Sequence, residues 1–73
     1  MRAAGTIRER IFQALIRRYT ADGDEALVKI DALLRGDVVP GHVTLPEDID
    51  KLLAKVADAE EKMATLRRHY GTN

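Results

Sequence analysis

The sequence predicts an all-α fold, a small three-helix bundle with one long C-terminal helix, and three observations carry that prediction. Residues 45–70 place apolar or small side chains at Ile49, Leu52, Val56, Ala59, Met63, Leu66 and Tyr70, in alternating steps of three and four. Two earlier segments show helical spacing behind N-capping signals. The remaining stretch rich in strand formers, residues 36–44 (GDVVPGHVT), is short and interrupted by Pro40-Gly41.

The first helix is expected over about residues 6–19, with residues 1–5 a flexible N-terminus. Thr6 followed by Glu9 forms a capping box, hydroxyl to one backbone amide and carboxylate back to the other. Ile7, Ile11, Phe12, Leu15, Ile16 and Tyr19 fall on one face, and Arg8, Arg10, Gln13, Arg17 and Arg18 on the other. A break is expected at Thr20–Gly23, because Asp22 and Glu25 repeat the capping pattern around a glycine. The second helix then spans about 24–35 with Ala26, Leu27, Ile30, Leu33 and Leu34 inward and Val28 at the edge. Gly36 ends it in the left-handed conformation that glycine adopts without steric cost. So short a break makes these two helices antiparallel neighbours.

Residues 36–44 read as a Val/Pro/Gly loop whose valines plug one end of the core, since so short a hairpin is marginal alone. Thr44 and Glu47 form a further capping box, with Pro46 in the first turn where its missing amide costs nothing. The third helix is expected over about 46–69. Glu47, Asp48 and Asp50 load its first turns, and Arg67, Arg68 and His69 its last, as the helix dipole favours. Gly71 stops it, leaving 71–73 as a flexible tail. Its seam suits either an intramolecular core or a partner helix, and small residues at Ala57, Ala59 and Ala64 permit close approach.

Seventy-three residues allow one domain with a limited core. There is no cysteine to make disulfides or thiolate metal sites. No apolar run approaches a membrane span or a signal peptide, so the chain is expected in the cytoplasm. Its zero net charge hides a segregation: residues 1–20 carry +4, residues 21–61 carry −7 and residues 62–73 carry +3. Packing the chain ends side by side would merge their cations into one patch.

No enzyme is expected. Serine and cysteine are both absent, which removes the common nucleophiles. His42 and His69 lack metal-ligand spacing, the carboxylates read as solvated helix surface, and Asp22-Gly23-Asp24-Glu25 lacks the later ligands of a calcium loop. No cofactor or metal is implied. What remains is binding. The leading expectation is a non-enzymatic regulator of bacterial or bacteriophage origin, the source suggested by an Ala-, Arg- and Asp-rich composition. It would bind another protein, with host transcription machinery (RNA polymerase) as the suggested target class. Its contacts would come from Arg8, Arg10, Arg17, Arg18, Val38, Val39, Val43, Arg67 and Arg68. The alternative is a DNA- or RNA-binding module using the same six arginines on phosphates. Against it stand the long link between helices two and three and the three aromatic residues, Phe12, Tyr19 and Tyr70, all on apolar faces. A third expectation is a structural homodimer of antitoxin or scaffold type, paired through the seam of helix three.

Overall fold

A computed structural model describes residues 6–36 and 45–71. Among these the chain is all-helical, with two helices rather than three: α1 runs Ile7–Arg35 and α2 runs Leu45–Tyr70. They pack antiparallel into a hairpin of 54 × 23 × 16 Å.

The three-helix bundle is therefore corrected at one place. Thr20–Gly23 is no break, and α1 continues through it for 29 residues. The physical reason is a seam that crosses the expected turn. Phe12, Ile16, Tyr19, Gly23, Ala26, Ile30 and Leu33 alternate in steps of four and three, the same period as in α2. Gly23 is one of these seam residues and is buried. Ending the helix there would put Ala26 and Ile30 on a different face from Ile16 and Tyr19. The packing gained by one continuous stripe outweighs the roughly 1 kcal/mol that a mid-helix glycine costs. The Asp22/Glu25 pair does not cap anything, and α2, at 26 residues, is the shorter helix.

The termini behave as their residues dictate. Thr6 is the N-cap: its hydroxyl accepts from the Glu9 amide at 3.1 Å, and the Thr6 amide donates to the Glu9 carboxylate at 3.0 Å. Gly36 caps α1 at φ 77°, in the left-handed region. At the far end Gly71 follows α2 in a backbone position that suits glycine. A Cβ there would lie against the Arg67 carbonyl oxygen, which the Gly71 amide contacts at 2.9 Å. Thr44, His42 and the three valines lie outside the described residues.

The numbers of facing residues sum to 81–83, as in Gly23 with Ala59, Thr20 with Met63 and Tyr19 with Lys62. This register sets Ala26 opposite Val56 and Ile30 near Leu52, and these residues with Ile49 make the core cluster. The core is thin: Ala26, Ile30, Val56 and Ala59 are its buried apolar residues, and no large side chain among the described residues is fully buried. The α2 seam is thus filled by α1 of the same chain.

Candidate protein-binding surface

The register also fixes where the hairpin is unfinished. Tyr70, the last residue of α2, reaches only the level of Phe12, so among the described residues the first turn of α1 has no helix facing it. Ile7 and Ile11, expected in the core, are 75% and 55% exposed, and Tyr70 is 58% exposed. Of the three only Tyr70 lies on its helix's seam; carried back from Phe12, the α1 seam passes through Glu9, so Ile7 and Ile11 sit off it, which corrects the core role expected of them. Their exposure follows from that placement, and that of Tyr70 from its position at the very end of α2.

The open surface around these side chains takes in Phe12, Leu15 and Leu66 together with the cations Arg8, Arg10, Arg17 and Arg67. The Arg8 guanidinium stands 6.0 Å from the Tyr70 ring centroid, at the edge of cation–π range. Tyr70 also meets the His69 ring at 6.2 Å in a tilted arrangement. The open end thus brings apolar side chains and cations together.

Folding in half merges the basic ends of the chain, as the charge pattern anticipated. Residues 6–20 and 62–71, the open half, hold seven Lys and Arg against one acid, a net +6. Residues 21–36 and 45–61, the loop half, hold four against ten, a net −6. The hairpin is electrically bipolar along its length.

The six predicted arginines share an end but not a side. Counted from the seam, Arg8 and Arg18 lie on the side of Ile11 and Leu15. Arg10, Arg17 and Arg67 lie on the opposite side, and Arg68 faces away from the seam. The valines of the same predicted site are outside the described residues. Nearer the middle, Lys62 bonds the Asp58 carboxylate at 3.0 Å and stands 5.5 Å from the Tyr19 ring centroid. The hydrogen bond from Lys62 to Asp58, with the attraction of that charge, holds its ammonium above the usual lysine value.

Against this geometry the comparisons with known proteins are silent. No family model, curated protein or solved structure matches the chain. The site therefore rests on its own residues. Among the described residues no cluster of His, Cys, Asp or Glu is placed to hold a metal ion. Nor is any helix there long and apolar enough to cross a membrane.

Proposed function

We propose that the protein is a non-enzymatic binding module, a small regulator that engages another protein through the open end of its hairpin. The observation that carries this is the exposure of Ile7, Ile11 and Tyr70 at the open end of the hairpin, among Arg8, Arg10 and Arg67. Such a surface suits a partner segment with apolar anchors and flanking carboxylates: the anchors are desolvated against the apolar side chains, and the cations set orientation and association rate. RNA polymerase, suggested by composition and class, is the first partner to try.

The test uses a tagged protein and purified candidate partners. Wild-type binding is expected to weaken at least tenfold in the double variant Ile11→Asp with Arg8→Glu, with helicity by circular dichroism unchanged because neither residue lies in the buried seam. Unchanged binding by that variant would remove the open end from the proposal.

A second reading is supported by the same end of the molecule, where seven cations meet one acid. If that end grips the phosphates of DNA or RNA, binding to a labelled oligonucleotide must fall with salt at about one log–log slope unit per contact. A flat response excludes it.

A further inference from the structure

We infer that a second copy of this chain packs head-to-tail along the side of the hairpin that carries Leu27, Leu34 and Leu53. That side differs from the filled seam; it shares Arg10 and Arg17 with the open end, whereas its leucines and Asp24 and Asp31 lie outside the open-end groove.

Two independent observations meet on this face. The first is apolar. Leu27 and Leu34 are seven residues apart on α1, each following a seam residue (Ala26, Leu33), and Leu53 follows seam residue Leu52 on α2. In an antiparallel pair these flanking positions lie along one side of both helices, and all three leucines are exposed there.

The second is a row of charge. Arg10, Arg17, Asp24 and Asp31 recur every seven residues, next to the leucine row on the same side of α1. All four are exposed, and none is ion-paired to another described residue. Read in either direction, the row is two cations and two acids. A second α1 laid antiparallel sets Arg10 beside Asp31 of the other copy and Arg17 beside its Asp24, twice over by symmetry.

The same register lets the arginine stems do apolar work. Within a turn of those pairs, the Arg17 stem crosses Leu27 of the second copy and the Arg10 stem crosses its Leu34, covering methyl groups with methylenes while the guanidinium heads reach the carboxylates. Alternatives are worse. A parallel copy puts like charge on like at all four positions. A slip of one heptad sets Arg17 on Arg17, or Asp24 on Asp24, at the twofold axis. The contact is isologous and closes at two copies. It also sets each +6 half of the molecule along a −6 half.

The decisive test is complementation, read by sedimentation equilibrium at low salt. Wild type is expected to move from 8.1 kDa towards twice that mass as concentration rises, and to dissociate as salt is added. Arg10→Glu with Arg17→Glu makes the row wholly acidic, and Asp24→Arg with Asp31→Arg makes it wholly basic. Each variant alone should self-associate at least about tenfold more weakly, and their equimolar mixture should recover dimer. A wild type that stays monomeric to millimolar concentration overturns the inference, as does a mixture that stays monomeric.

A milder probe serves if either variant unfolds. The chain has no cysteine, so single thiols report geometry cleanly. Thr20→Cys lies beside the proposed twofold axis and should oxidise to a linked dimer, whereas Leu34→Cys, far from the axis, should not. Linkage through Leu34→Cys, or none through Thr20→Cys, refutes the head-to-tail arrangement.

Discussion

Replacing Gly23 by alanine should stabilise this protein, and the sign of that effect tests the continuous α1 more sharply than any other single change. Gly23 lies mid-helix, buried in the seam, and carries no positive φ that would demand glycine. A Cβ built there meets the Ala59 Cβ at 3.6 Å, an ordinary van der Waals contact. The alanine methyl therefore fits without moving the helices apart. Glycine to alanine inside a helix is worth about 0.8–1.0 kcal/mol, chiefly through the entropy of the unfolded chain. Burying the methyl adds up to about 0.8 kcal/mol. A gain of about 1 kcal/mol raises the melting temperature of a domain this small by roughly 4–8 °C. The assay is thermal and urea unfolding followed at 222 nm, with native ellipticity unchanged. Were residues 20–23 a turn between two helices, alanine would instead lose a conformation that glycine supplies. Destabilisation by more than about 0.5 kcal/mol, on the scale of that glycine preference, would refute the single helix.

Two further outcomes follow from the caps and the core. Thr6→Ala removes one half of the capping box and should cost about 1 kcal/mol, fraying the exposed first turn before the rest of α1 as followed by amide exchange. Ile30→Ala deletes the largest aliphatic side chain among the buried seam residues and should cost at least about 2 kcal/mol in urea unfolding.

The parts of this architecture legible in the sequence are those decided within one helix. The α2 span, the Thr6–Glu9 box and the left-handed Gly36 depend on neighbours a few residues away, and each was read from them. Gly23 was misread because its local signals favour a turn: a glycine, an Asp-Gly pair and an apparent cap. What overrules them is opposite α1 in space, the small Ala59, which accepts a residue without a side chain at close approach. Small residues matched across a seam signal packing as well as flexibility. That signal was present in the unbroken alternation from Phe12 to Leu33. The same alternation, carried back from Phe12 to Glu9, also leaves Ile7 and Ile11 off the seam, so their exposure was legible there too, whereas that of Tyr70 was not. For Tyr70, which is on the α2 seam, periodicity assigns the face, but only the register between the two helices decides what stands opposite its last residue.

The loss of a predicted third helix changes what the rest of the surface has to do. A three-helix bundle would have covered Leu27, Leu34 and Leu53 with its own chain. Among the described residues the hairpin has one shared seam, and Leu27, Leu34 and Leu53, which lie outside it, are exposed. Here the uncovered leucines fall beside a charge row that is its own complement when reversed, while the open end carries apolar side chains and cations together. The first pattern is satisfied by an identical chain, and the second needs a chain of different composition. If both contacts form, the dimer sets its two open ends at opposite poles, about a helix length apart. A bivalent partner with two acidic segments would then bind the dimer more tightly than the monomer by effective concentration alone. Breaking the dimer through Asp24 and Asp31, which are remote from the open end, frees Arg10 and Arg17, so affinity for a single segment should not fall while that bivalent gain is abolished. Equal loss for single and paired segments would show instead that the two surfaces are one.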